Sequence, residues 1–517
     1  MSSVSGKSPA PFASQPGARF SEEAGYEEKQ VLPVGGYGDF DSNDSSTDGP
    51  TQHEEEDIAA AAAAAAAATS TEKHTAANGE AEPSAEVPVE EFKEGGYGWV
   101  VVLAVFLMNA HTWGLNSAYA VFLAYYLNNN VFPDSSAIAY AFVGGLSISI
   151  ALLISPISTV SVGRLGTRIT LLIGVFFETI AFIGASFTSQ IWHLLLSQGI
   201  AFGIGMGFIF VASVGIIPQW FTKRRSFANS LGTAGSGFGG LTYSLATNAM
   251  IRNIGLPWAF RVLAIVSCVI NVLCAFVVRD RNKHVGAVHV PFRASLLKRI
   301  EYIMLLVWAF FSVLAYIIIV FSLPDYAQAV GGTANQGSIV GAMFNLSQGL
   351  GRPMIGFLSD PVGRLNVMGL GTLTAGLAAL FIWIFAGKYF AGLIVYSLLG
   401  AFAGLMWATI APVTAEIVGI PLLPAALSVA WIILVLPATF SEVIGLSLRS
   451  GTGPNSYLPV QLFAGFCFMI AFASGWLLRA WKLHQLEDAV NVEAGAPRTT
   501  FGRYLLRFTW VFKVQRV

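Results

Sequence analysis

Charge is scarce in this chain. Only 11% of its 517 residues are Asp, Glu, Lys or Arg, against 54% hydrophobic. A water-soluble globular domain carries roughly 25% charged residues, so most of this chain lacks the polar surface that solubility requires. The scarcity is uneven. Residues 1–94 hold 19 Asp/Glu against 5 Lys/Arg, so the net charge of -1 averages two unlike regions. Cysteine is also rare. Cys268, Cys274 and Cys467 lie in apolar runs, which excludes a disulfide framework and reads as three small buried hydrophobes. The 53 glycines include no Gly-x-x-x-x-Gly-Lys-Ser/Thr phosphate loop, and there is no metal-ligand cluster or nucleophile motif. ATP-driven chemistry, enzymatic activity, a resident cofactor or metal, and a nucleic-acid partner are therefore not expected.

What is present divides the chain at residue 94. The first part is rich in Ser, Gly, Ala and Glu, with ten consecutive alanines at 59–68. It cannot bury enough apolar surface to offset its ordering entropy, and ten residues are too few for a stable isolated helix. It is expected to be a disordered acidic tail. No secretory signal opens the chain, so the first membrane span is expected to act as its own insertion signal. From Tyr97 onward, apolar runs of about 20 residues follow one another, each able to cross a 30 Å hydrocarbon core. They fall at 97–127, 137–160, 168–187, 191–213, 227–251, 258–278, 301–329, 335–358, 366–386, 389–413, 423–447 and 457–480. Putting the N-terminus inside places twelve Lys/Arg in inner loops, from Arg164 to Arg364. The outer loops hold three: Arg252, Lys388 and Arg449. Positive residues mark the cytosolic face, so both termini are expected in the cytosol, with the plasma membrane as the expected location.

The fold class expected is an all-α membrane protein of twelve transmembrane helices in two six-helix halves. The parts are a tail at 1–94, a first half at 95–278, a cytosolic linker at 279–299, a second half at 300–481 and a cytosolic tail at 482–517. In that last tail, 499–517 reads as an amphipathic segment on the cytosolic leaflet. The loops after spans two and eight, Gly163-Arg164-Leu165-Gly166-Thr167-Arg168 and Asp360-Pro361-Val362-Gly363-Arg364-Leu365, repeat a Gly–Arg turn, as two parallel repeats would.

The segment Gly356-Phe357-Leu358-Ser359-Asp360-Pro361-Val362-Gly363-Arg364 resembles the loop motif of the major facilitator superfamily. Its first-half counterpart has Gly163 where that motif usually has Asp. Glu94-Gly95-Gly96-Tyr97-Gly98-Trp99 is similar to the signature of the monocarboxylate transporter family. So are Trp220-Phe221-Thr222-Lys223-Arg224-Arg225-Ser226-Phe227-Ala228-Asn229 and the Arg352-Pro353 pair. The acidic tail and Pro437-Ala438-Thr439-Phe440-Ser441-Glu442 look like the fungal branch. The resemblance covers about 94–480. It implies a secondary active or facilitative carrier of small organic solutes, monocarboxylate-like compounds, vitamins or secondary metabolites among them, which works by alternating access as a symporter or uniporter. The chain departs from the mammalian-type pattern at two places. Gln348 stands where that pattern has an Asp, and Ser117 where it has a Lys. Neither titrates usefully, so proton–lactate cotransport by that mechanism is not carried over.

Polar groups inside spans are the candidate site, because each is costly in hydrocarbon. Arg352, with its planar fork, suits a substrate anion. Asn345 and Gln348 lie seven and four residues before it, on the same helix face. Asn109 and Asn116 share a face of span one, next to Ser117. His111 is offset from Asn109 by about 160°. Coupling candidates are Glu178, Glu442 and His111, with protons as the candidate ion; a hydrogen-bonded structural role is the alternative for the two acids. Trp113, Tyr119 and Trp407 could stack on a ring-bearing substrate. Asp360, Gly363 and Arg364, with Arg164, Gly166 and Arg168 in the first half, form the candidate conformational motif, in which Asp360 latches one state. The rival reading from another class is a non-transporting membrane sensor with the tail as its signalling arm.

Overall fold

The computed structural model describes residues 94–129, 131–132, 137–450, 455–493, 500–506, 509–511, 513 and 515. The expected acidic tail lies outside these residues, apart from Glu94. The described part is mostly helical, and twelve segments follow in order. They are α1 (Tyr97–Tyr126), α2 (Ala137–Leu153 continued by Ser155–Leu165), α3 (Thr167–Ala185), α4 (Ile191–Gln219), α5 (Arg225–Ile254) and α6 (Leu256–Val277). Then come α7 (Ile300–Ala329), α8 (Ala334–Val362), α9 (Arg364–Ala386), α10 (Phe390–Leu398 and Gly400–Val418), α11 (Leu423–Leu448) and α12 (Leu458–Glu493). A short α13 (Phe501–Leu506) follows. The segment joining α6 to α7 defines one face of the bundle, called here the linker face.

Nine of these helices are long and apolar enough to cross a membrane, and the bent pair in α2 makes a tenth. The bend of 44° falls at Ile154, just before Pro156, where proline withholds a helix hydrogen bond. The two remaining long helices, α5 and α8, are less apolar because Gly, Ser, Thr and Asn fill them. They pack against each other, and small residues allow it. A Cβ on Gly237 would lie 2.8 Å from Gly349 Cα, and one on Gly356 would lie 2.8 Å from Ser226 O. Close backbone approach through small residues is how helices associate in lipid. Elsewhere large apolar side chains face outward, among them Leu103, Phe176, Leu273, Phe381 and Phe466.

The apolar cores report how the halves meet. Toward the far face, one cluster (Leu115, Phe122, Tyr140, Phe260) belongs to the first half and another (Ile318, Phe344, Trp383, Phe468) to the second. The cluster that draws on both halves lies toward the linker face. It joins Ile148, Leu152, Phe210 and Val214 to Tyr302, Trp308, Ile410 and Trp431.

The paired loop glycines are visible in the backbone, and one sequence expectation changes. The left-handed turn that ends α2 is Gly166 (φ 85°), and the one that ends α8 is Gly363 (φ 110°). Only glycine adopts this conformation without strain. The equivalent of Gly363 is therefore Gly166, while Gly163 lies within the last turns of α2. The change concerns the C-terminus. α12 continues to Glu493, past the expected boundary at 481. The described residues beyond it pack onto the second half instead of lying on a membrane surface. Tyr504 and Trp510 are buried in the shared core cluster. Arg479, itself buried, donates to Asn366 Oδ1 (2.5 Å), to Trp510 O (2.9 Å) and to Lys513 O. Lys513 pairs with Glu487, and Asn366 donates to Gln515 O (2.7 Å). Deleting residues 500–517 strands a buried guanidinium, which costs several kcal/mol. Thermal unfolding of the purified protein is expected to shift down by about 5 °C or more. An unchanged transition would mean that the segment only rests on the surface.

Candidate functional site

Arg352 sits two-thirds of the way along α8 and is 4% exposed. Its Nη1 donates to Thr233 O (2.9 Å) and Ser236 Oγ (2.7 Å) on α5, and its Nη2 donates to Gln348 Oε1. Gln348 Nε2 in turn donates to Tyr316 Oη on α7 at 3.0 Å. Among the described residues no carboxylate pairs with Arg352, and its Nε has no acceptor. Gly404 of α10 makes room for the pair: a Cβ there would lie 2.9 Å from Gln348 Cδ and 3.3 Å from Arg352 Nη2. Neither Gly404 nor Tyr316 was legible as a site residue, because nothing in one sequence says which helices face α8.

Asn345 lies about one turn beyond Gln348, and two beyond Arg352, away from the linker face. It meets Ser117 of α1 across Gly240, whose Cβ would lie 3.3 Å from Asn345 Cγ and 3.1 Å from Ser117 Cβ. Asn116 is half-buried, and its Oδ1 accepts from Ser147 Oγ of α2 at 2.7 Å. Four of the six expected binding residues thus cluster where α1, α5 and α8 meet: Ser117, Asn345, Gln348 and Arg352. Asn116 adjoins them on α1. Asn109 does not join. Its amide donates to Val105 O (2.9 Å) and Gly232 O (3.3 Å), which ties α1 to α5. α1 is interrupted at Thr112 (φ −117°, ψ −80°), so ideal helix spacing from 109 to 116 does not hold. His111 also points elsewhere: it packs edge-on against Tyr243 at 5.5 Å and lines a groove between α1, α5 and α6.

Beside the Arg352 junction lies a group of rings from both halves. Trp113 lies 5.1 Å from Trp407 and 5.2 Å from Phe210, and Trp407 stacks on Trp431 at 6.1 Å. Tyr316 meets Trp407 at 6.3 Å, which connects the rings to Gln348. The indole N–H groups of Trp113 and Trp431 are buried without acceptors. The junction therefore carries one uncompensated positive charge and several spare donors.

The two embedded acids behave differently. Glu178 of α3 is fully buried, and its Oε2 accepts from Asn271 Nδ2 of α6 at 2.8 Å. Glu178 Oε1 and Asn271 Oδ1 are both buried without partners. A proton on the carboxyl would satisfy both orphans at once, as an acid–amide pair. That geometry favours the structural alternative. Glu178→Gln is expected to keep uptake within about twofold, with an unchanged pH profile. Loss of uptake at normal abundance would assign Glu178 to proton transfer. Glu442 is half-buried toward the far end of α11, in electrostatic reach of Tyr119 of α1.

At the linker face the conformational motif is asymmetric. Asp360 accepts from the backbone N–H of Ser226 (3.0 Å) and Phe227 (2.9 Å) at the start of α5, where a helix N-terminus favours negative charge. Arg364 pairs with Glu416 of α10 at 2.5 Å and donates to Thr222 O (3.0 Å) and Ser226 Oγ (3.2 Å). The first-half copy does not bridge. Arg168 stays against Phe276 of α6, and Arg164 is exposed. With Gly163 in place of an acid, there is no carboxylate to cap the start of α11. The linker fills that place instead. A Cβ on Gly163 would lie 2.8 Å from His289 Cβ. Val288 N donates to Pro421 O (2.8 Å), and Ser428 Oγ donates to Pro291 O (2.7 Å). Burial pushes the His289 imidazole below its ordinary value. Among the described residues, hydrogen bonds between the halves run from Asp360 up to Arg352 and the Ser149–Thr439 pair, and none lies nearer the far face.

Two helical halves with a buried polar junction between them, sealed at one face, define a multi-pass membrane carrier. The comparisons give its family. The Major Facilitator Superfamily profile matches residues 101–419. The chain is 34% identical over 421 residues to "Probable transporter MCH2" of Saccharomyces cerevisiae, covering 80% of this chain and 88% of that one. It is 26% identical to "Monocarboxylate transporter 10" of Danio rerio, over 73% of this chain and 77% of that one. Among solved structures, the proton:xylose symporter XylE matches with a TM-score of 0.59 at 16% identity, covering 78% of this chain and 97% of that one. The chain belongs to the major facilitator superfamily, in its fungal monocarboxylate transporter-like family, and it is a transporter.

Proposed function

We propose that this transporter is a secondary carrier of small organic anions and that Arg352 is the group that binds the anionic end. The observation that carries this reading is the unpaired guanidinium. A buried charge without a counterion is strongly unfavourable, and here the neighbouring spare donors, Trp113 and Trp431, add to the deficit of acceptors. A carboxylate supplies the missing charge and the missing acceptors together. Gln348 holds the fork in place, while Asn345 and Ser117 contact the rest of the solute. With Gln348 and Ser117 in place of titratable groups, the junction itself has no proton carrier, and Glu442 on α11 is the embedded acid left without a structural partner among the described residues. The match to a protein named for monocarboxylates agrees with an anionic substrate.

The halves rock about this junction, as alternating access requires. The Asp360–Arg364–Glu416 network and the linker seal hold one end state, closed at the linker face. That face is cytosolic on the Lys/Arg bias, and the plasma membrane is the proposed location. Reconstitution into vesicles separates a carrier from a sensor: concentrative or counterflow uptake of organic acids is expected, and binding without any vectorial movement would favour the sensor.

A further inference from the structure

The groove beneath His111 is separate from the Arg352 junction and opens on the lipid-facing side of the first half. It encloses about 390 Å³ between α1, α5 and α6, within the range of about 300–1,000 Å³ typical of ligand pockets. Its walls are Phe106, Ala110, Met250, Leu263 and similar apolar residues, with no acid, lysine or arginine. Three polar side chains interrupt this surface: Thr242, which is exposed, and the buried His111 and Tyr243. His111, 8% exposed, donates through Nδ1 to Leu107 O at 2.8 Å. A carbonyl only accepts, so Nδ1 carries the hydrogen and Nε2 of the neutral ring is an acceptor. Tyr243, 7% exposed, has no hydrogen-bond partner for its hydroxyl among the described residues, and its ring meets that of His111 edge-on. An acceptor and a donor, on residues 8% and 7% exposed and with no hydrogen-bond partner for either atom among the described residues, thus line one apolar groove.

We propose that this groove binds an uncharged lipophilic alcohol dissolved in the bilayer, its hydroxyl held between His111 Nε2 and Tyr243 Oη. A hydroxyl is the smallest group that donates to one and accepts from the other. An ionised headgroup or carboxylate would be left without a counterion here. Depth selects the source. Tyr243 lies eleven residues from the end of α5 at Ile254, or about 16 Å, close to half of a 30 Å hydrocarbon core. Lipid headgroups and interfacial hydroxyls do not reach that level, whereas a solute partitioned into the hydrocarbon does.

The test is photolabelling of the purified, lipid-reconstituted protein with a diazirine-bearing octanol. Label is expected on segments 106–111 and 238–250. Excess n-octanol should remove it, while its methyl ether, which cannot donate to His111, should compete about fivefold less well. Tyr243→Phe and His111→Leu should each lower labelling by a similar factor. Because a variant can fail to fold, the competitor comparison on the parent protein decides alone. Equal competition by the methyl ether would show that the groove merely takes up hydrocarbon and would overturn the proposal. Stronger competition by octanoate, or label confined to other helices, would overturn it as well.

Discussion

Arg352→Ala is expected to lower transport of an anionic substrate by at least about a hundredfold while the protein still folds and reaches the membrane. Two charge-assisted hydrogen bonds to a carboxylate contribute about 1.5–3 kcal/mol each, and every 1.4 kcal/mol is about tenfold. Folding survives because the substitution removes a buried charge instead of stranding one. The contacts to Thr233 O and Ser236 Oγ are lost, while the close glycine packing of α5 on α8 stays in place. Arg352→Lys is expected to rescue poorly, since a point charge does not reproduce a bidentate fork. Gln348→Asp places a carboxylate in contact with the guanidinium. It should compete with the substrate and weaken binding, unless uptake gains a pH dependence. Initial rates against substrate concentration at several external pH values, with surface abundance measured in parallel, check all three. Parent-like uptake by Arg352→Ala would make Arg352 a structural residue.

The second large effect is expected at Asp360. Its two oxygens cap the start of α5 from the other half of the molecule. Asp360→Asn removes the charge and leaves at most one good acceptor, so the closed linker face loses about 2–4 kcal/mol of stabilisation. That moves the balance of end states by more than tenfold. Maximal transport rate should fall about tenfold or more, with apparent affinity within about twofold of the parent, because Arg352 and its neighbours are untouched. A change in affinity alone, with maximal rate intact, would contradict a latch. The first half offers a control. Arg164 is exposed and Arg168 stays within its own half, so replacing either should change the rate by less than about twofold.

Most of the architecture was legible because it follows from hydrocarbon thickness. Twelve runs of apolar residues and the scarcity of charge required twelve helices. α5 and α8 were readable as spans only through their length and neighbours, since their polar residues face each other and not lipid. The stripe Asn345–Gln348–Arg352 followed from helix spacing, and α8 is regular enough to preserve it. Asn109 failed for the opposite reason: α1 breaks at Thr112, and no residue there signals a break. Tyr316, Gly404 and Ser236 complete the junction, but they belong to other helices, and one sequence holds no information on which faces meet. The C-terminal segment is ambiguous in sequence because alternating basic and aromatic residues suit a membrane surface and a folded strap equally well. Only the buried Arg479, which the sequence places near a helix end, distinguishes them.

The central claim is that the junction at Arg352 takes an anion. Counterflow into proteoliposomes tests it most directly. Vesicles are loaded with a mixture of organic acids, and exchange is followed for a labelled carboxylate and for its isosteric amide. The expected result is exchange of the carboxylate at least about a hundredfold faster than of the amide in the parent protein, a preference that Arg352→Ala removes. Equal exchange of the two, or a preference that survives Arg352→Ala, would contradict anion recognition at this site.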